Sequence, residues 1–219
     1  MMKSKLLVLT GYSLAMALLE AAVVVYMRQL YYPQDPLQLF PLRFLNQYDP
    51  MLELSRELST IVMIVTVALL AEQRNWTRRF AAFVYIFGVW DLFYYAWLKV
   101  LMDWPQSWLE WDVLFLIPMI WLGPWICPAL IAAMFIAWGL YGMCTSNDIA
   151  FAPMSISTFV AGALLGLFCF MQPALGLQGE ELVAYTPGYF AWWLYALSYA
   201  FMAIGLLLTT RARRTVDLG

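Results

Sequence analysis

The chain has no histidine, only three cysteines and few charges, and each shortage excludes something. Without histidine it lacks the commonest ligand for zinc, copper and haem iron, and the usual general base near neutral pH. Cys127, Cys144 and Cys169 form no C-x-x-C pair and lie in or beside apolar runs, where thiols serve as small apolar residues. No cofactor or metal ligand set is therefore expected, and histidine-ligated haem and iron–sulfur roles are set aside for this chain by itself. Charged types make up 12% of the 219 residues and apolar types 64%. A soluble domain is about a quarter charged and about half apolar. This chain cannot clothe a water-exposed surface, and a lipid bilayer is the solvent that tolerates it. The net charge of −2 comes without a basic patch, so nucleic acid is not an expected partner.

What the sequence does have is long apolar runs. At roughly 20 residues per span, the length allows about six spans and no separate soluble domain. The expected fold is an all-α, polytopic membrane protein, with 1–219 as a single transmembrane domain. Spans are expected at about 6–27, 49–71, 80–102, 124–143, 153–172 and 189–210. The first resembles a signal peptide, with Lys3 and Lys5 ahead of an apolar run and Ala15-Met16-Ala17 as a cleavage-like site. Apolar sequence continues to Met27, so it reads as an uncleaved span. Asp49-Pro50 marks the start of the second as an N-cap followed by proline at the first helical position.

The basic residues fix an expected orientation. Lys3, Lys5, Arg74, Arg78, Arg79, Arg211, Arg213 and Arg214 fall on one side of a six-span path, and Arg28, Arg43, Arg56 and Lys99 on or near the other. The positive-inside rule then predicts both termini in the cytosol, in the cytoplasmic (inner) membrane if the source is bacterial. The loop 144–152 has no basic residue to confirm its side. The outer side carries Asp35, Asp49, Asp103, Glu110, Asp112, Glu180, Glu181 and most of the tryptophan, read as an aromatic belt at headgroup level.

Two outer segments stand apart. In DWPQSWLEW, Asp103 as N-cap with Gln106 three residues on predicts a short interfacial helix near 103–111, placing Trp104, Trp108 and Trp111 on one face. The following stretch near 113–128 holds Pro118, Pro124 and Pro128, so a kinked or re-entrant piece is expected there, a candidate wall for a cavity. In the fifth span Gly162 and Gly166 form a GxxxG, which predicts close helix packing.

The most informative residues are ionisable groups inside the spans, each costing a few kcal/mol unless paired or hydrated. At 1.5 Å per residue, Glu20 lies about 21 Å from the inner edge, Glu57 about 10 Å below the outer edge and Asp91 about 17 Å up, one layer displaced outward. Arg56 reads as the only cation at that depth. Glu53 and Arg56, three apart, can pair on one helix face, and a boundary ion pair wet from outside is the simpler reading of those two. Glu20 and Asp91 have no cation at helical spacing in their own spans. The candidate polar cluster is Glu20, Glu53, Arg56, Glu57, Asp91, Tyr94, Tyr95, Tyr195 and Tyr199, with Ser198 nearby. No catalytic residue is assigned.

Three roles fit these features. In order, they are an accessory, assembly or structural subunit of a membrane complex; a transporter or solute-binding protein using an outward-facing carboxylate cluster; and an intramembrane enzyme acting on a lipid or isoprenoid-like substrate by carboxylate acid/base chemistry. The lipid bilayer, and other membrane subunits under the first reading, are the expected partners. Against transport, no internal repeat is visible. Against catalysis, no nucleophile motif or phosphate loop is visible.

Overall fold

A computed structural model describes residues 2–43, 49–73, 75–145, 149, 151–177 and 179–211. Among the described residues six helices are long and apolar enough to cross a bilayer, so the chain is an integral, multi-pass membrane protein. They are α1 (Met2–Tyr31), α2 (Asp49–Ala71), α3 (Trp76–Met102), α4 (Ile126–Cys144), α5 (Pro153–Met171) and α7 (Trp192–Arg211). A one-turn helix, α6 (Glu180–Val183), and a 3-10 turn (Gln172–Ala174) lie between α5 and α7. The expected spans stand, with α1 running four residues further than its apolar run and α7 starting three residues later than expected. Outward-facing apolar side chains, such as Leu52 and Leu70 of α2, each 69% exposed, are what lipid contact requires.

Local chemistry sets the ends of α3. Asn75 caps its start, accepting a hydrogen bond from the Arg78 N–H at 2.9 Å. Asp103 ends it in the left-handed conformation, φ 58°, with its N–H on the Lys99 carbonyl and its carboxylate 2.6 Å from Lys99 Nζ. This overturns the expected interfacial helix near 103–111. Asp103 closes one helix instead of opening another, and Pro105 follows at once. Residues 104–110 form a turn in which Glu110 Oε2 accepts the backbone N–H of Gln106 and of Ser107 at 2.5 and 3.2 Å. The three tryptophans share no face: Trp104 is fully buried, whereas Trp108 is 71% exposed and stacks on Trp125.

The proline-rich stretch is corrected too. It is not a kinked helix but an antiparallel hairpin, β1 (Trp111–Phe115) and β2 (Trp121–Pro124), so the predominantly helical fold carries one small sheet among the described residues. Asp112 faces Gly123 and Val113 faces Leu122, with an irregularity between Val113 and Phe115. Aromatic and branched residues favour strand, and the prolines fall where a hairpin admits them: Pro118 in the turn and Pro124 at the strand end. A lone hairpin is marginal. This one is clamped by stacking of Trp121 on Phe170, by an edge-to-face contact of Trp111 with Phe190, and by a completely buried Leu122.

Close packing joins α3 to α4, α1 and α2, and α5 to α7. The GxxxG of α5 acts within the chain. A side chain at Gly162 would meet the Met202 backbone nitrogen of α7 at 2.6 Å, and Ser198 donates to the Gly162 carbonyl at 2.7 Å. α1 and α2 meet instead through polar bridges, among them Lys5 Nζ to Glu72 at 3.1 Å. Arg74, Arg213, Arg214 and most of the 146–150 stretch, which entered the orientation argument, lie outside the described residues, as does the Arg211 side chain.

Candidate functional site

Helical periodicity builds the site. Glu20, Val24, Met27, Arg28 and Tyr31 recur at helical spacing and line one face of α1. Asp49, Glu53, Arg56 and Glu57 do the same in the first turns of α2. Trp90, Asp91, Tyr94 and Tyr95 come from the last half of α3. These faces line a partly open cavity of about 150 Å3, which is also walled by Tyr32, Leu39, Leu42 and Arg43 of the segment after α1, and by Asp112, Val113, Leu114, Phe115, Leu116 and Ile120 of the hairpin.

Seven of the nine sequence-derived candidates line it: Glu20, Glu53, Arg56, Glu57, Asp91, Tyr94 and Tyr95. Tyr195 and Tyr199 do not. Tyr195 donates to the Cys127 carbonyl at 2.9 Å and Tyr199 to the Leu130 carbonyl at 3.5 Å, so both fasten α7 to α4, and Ser198 fastens α7 to α5. Depth alone grouped them with the carboxylates; packing separates them.

Arg56 is more than a boundary ion pair. Its guanidinium binds Glu53 through Nε and Nη2, each at 2.8 Å, and Nη1 pairs with Glu20 across the gap to α1. Thr60 adds a hydrogen bond to Glu20 at 3.3 Å. Glu20 thus finds its cation within this chain. Glu57 is buried and accepts the Leu116 N–H at 2.9 Å, tying α2 to the hairpin. Asp91 is half-buried against the cavity, and among the described residues no lysine or arginine lies within ion-pair distance of it.

The sequence reading missed a second guanidinium. Arg28, which was placed near the outer surface, has a side chain 3% exposed and pairs with Asp112 at 3.3 Å, while the Trp104 ring lies 4.0 Å from its carbon. Arg56 therefore shares the cavity with a second guanidinium. The eight-residue spacing from Glu20 marks Arg28 as sharing its face, a signal available in the sequence. For Asp112 there was none, because a strand residue reaches the cavity only through the hairpin fold. Burial pushes the Asp112 carboxyl up to about 6, against the opposing pull of Arg28. Among the described residues no group of three or more metal-ligating side chains has the geometry to hold a metal ion.

No protein-family model matches the chain, and neither a curated protein nor a solved structure matches it.

Proposed function

We infer that this protein is a solute-binding membrane protein, of the transporter or receptor kind, whose cavity takes the polar end of an amphipathic, cation-bearing molecule. The charge balance of one cavity carries this reading. Six carboxylates line it (Glu20, Asp49, Glu53, Glu57, Asp91 and Asp112) against three guanidiniums (Arg28, Arg43 and Arg56). Arg56 answers Glu20 and Glu53 and Arg28 answers Asp112, while among the described residues Glu57 and Asp91 have no lysine or arginine within ion-pair distance, so a positive group entering the space meets a net negative wall. The rest of the wall, including Val24, Met27, Leu114 and Ile120, is apolar, as ligand sites are.

Size narrows the solute. A dry cavity of about 150 Å3 holds something the size of benzene. A small polar group fits, and a whole lipid does not, so an alkyl chain lies outside, along lipid-facing surface. By the positive-inside rule the cavity, at the end of the bundle away from Lys3, Lys5, Arg78 and Arg79, opens to the non-cytosolic side. An accessory subunit is the weaker reading, since one of the carboxylates that a partner's cation could have answered, Glu20, already has Arg56.

Titration of the detergent-purified protein with dodecylammonium and with dodecyl sulfate tests this, read by tryptophan fluorescence, since Trp90 lines the cavity. The ammonium compound binds saturably and at least about tenfold more tightly, and Asp91→Asn weakens it. Equal binding of the two signs, or an unchanged affinity in Asp91→Asn, ends the proposal.

A further inference from the structure

The carboxylates explain a cation, but two residues of the same cavity wall also carry buried donors for which no described residue supplies an acceptor. Arg28 gives one nitrogen, Nη2, to Asp112. Its Nε and Nη1 are buried and have no hydrogen-bond partner among the described residues. Trp90, 6% exposed, is in the same position: its indole N–H is buried and unpartnered. Both residues line the cavity. A buried donor without an acceptor costs about 1–3 kcal/mol, and more when it is charged. Trp104 takes one face of the guanidinium but offers no acceptor to its edge.

A purely cationic ligand leaves this cost standing, because it brings no acceptor to Arg28. A purely anionic one meets Asp91 and Glu57. A group with both signs answers both needs. Its anionic oxygens accept from the free edge of Arg28, whose planar fork suits a phosphate or carboxylate, and from the Trp90 N–H. Its ammonium faces Asp91, which has no lysine or arginine within ion-pair distance among the described residues. We propose that the cavity is a site for one zwitterionic headgroup, with Arg28 and Trp90 holding the anionic end and Asp91 the ammonium end. This rests on the solute-binding reading above and sharpens it from a cation-bearing amphiphile to a zwitterionic one.

The ligand chemistry is that of a phosphoethanolamine group, and it can arrive as a lipid headgroup or as a free small molecule. The cavity volume of about 150 Å3 admits either. The full-length protein in a neutral detergent is titrated with three probes: a short-chain phosphatidylethanolamine, dodecylammonium, and free O-phosphoethanolamine. Phosphatidylethanolamine is expected to bind at least about tenfold more tightly than dodecylammonium. If free O-phosphoethanolamine binds comparably, the source is soluble; if only the lipid does, it is a membrane lipid. In Arg28→Gln the preference for the zwitterion over dodecylammonium falls about tenfold or more, whereas Tyr199→Phe, outside the cavity, leaves it unchanged. Should Arg28→Gln not fold, Arg28→Lys keeps the charge, loses the fork, and reduces the same preference by a smaller factor. A wild-type protein that binds dodecylammonium as tightly as phosphatidylethanolamine overturns this proposal and leaves the solute-binding reading intact. Failure of all three probes overturns both.

Discussion

Arg28 of α1 and Asp112 of β1 sit 84 residues apart in sequence and 3.3 Å apart in space, with their side chains 3% and 4% exposed. This pair joins the end of the first span to a hairpin that has no helix of its own to belong to. It also sets the boundary of the cavity. Taking both charges out of water is costly, and a buried pair regains that cost only where the remaining hydrogen-bond sites are filled. Here they are not all filled, since two Arg28 nitrogens find no acceptor among the described residues.

Breaking the pair from one side is therefore expected to cost about 3–5 kcal/mol, because a single buried charge is left behind. Asp112→Ala should lower thermal stability in detergent accordingly. The double replacement Arg28→Met with Asp112→Leu should recover most of that loss. A double variant no more stable than Asp112→Ala would show that the charges, and not apolar packing, hold the hairpin to α1.

The same pair gives a pH dependence with a definite sign. Folding raises the Asp112 carboxyl from 3.8 to about 6, so the folded protein binds the extra proton between those values. The contribution to stability is fully present below 3.8 and is lost as pH rises through about 6. It amounts to roughly 3 kcal/mol at most. Melting curves between pH 4 and pH 7 should fall with this slope in the native chain and be flatter in the Arg28→Met, Asp112→Leu double variant. Identical slopes would remove Asp112 as the cause.

Glu57 and the Leu116 N–H, 2.9 Å apart, couple α2 to the hairpin and make a graded test possible. Glu57→Gln keeps a carbonyl acceptor at the same length and should cost under about 1 kcal/mol. Glu57→Ala leaves a half-buried N–H unanswered and should cost about 1–3 kcal/mol. Chemical unfolding monitored by tryptophan fluorescence distinguishes them; equal losses would mean the hydrogen bond contributes nothing separable.

Two glycines give opposite signs for one substitution. Gly11 of α1 has nothing within 4 Å of where a Cβ would stand, so Gly11→Ala should stabilise by up to about 1 kcal/mol through helix propensity. A Cβ at Gly162 of α5 would stand 2.6 Å from the Met202 backbone nitrogen, so Gly162→Ala should destabilise by about 1–3 kcal/mol. Matching effects in thermal unfolding would argue against close α5–α7 contact.

The bundle was readable because its spans are written in one dimension. Apolar runs of bilayer length and the Asp49-Pro50 start gave α2 its bounds of Asp49–Ala71, and the other spans to within a few residues. Much of the cavity was readable for a related reason: depth along a helix follows from residue count, and Glu20, Glu57 and Asp91 do line one cavity. Depth carries no azimuth, though. Tyr195 and Tyr199 were placed by depth and face α4 instead.

By itself, then, the sequence determined the solvent, the spans and the presence of buried carboxylates, all of which follow from hydropathy and spacing. Only the tertiary structure decided that DWPQSWLEW closes a helix, that the proline-rich run pairs as β1 and β2, and that Arg28 turns inward to Asp112. Those outcomes depend on partners far away in the chain. A strand in an apolar setting needs its neighbour's backbone, and a buried guanidinium needs a counter-charge that no local pattern announces.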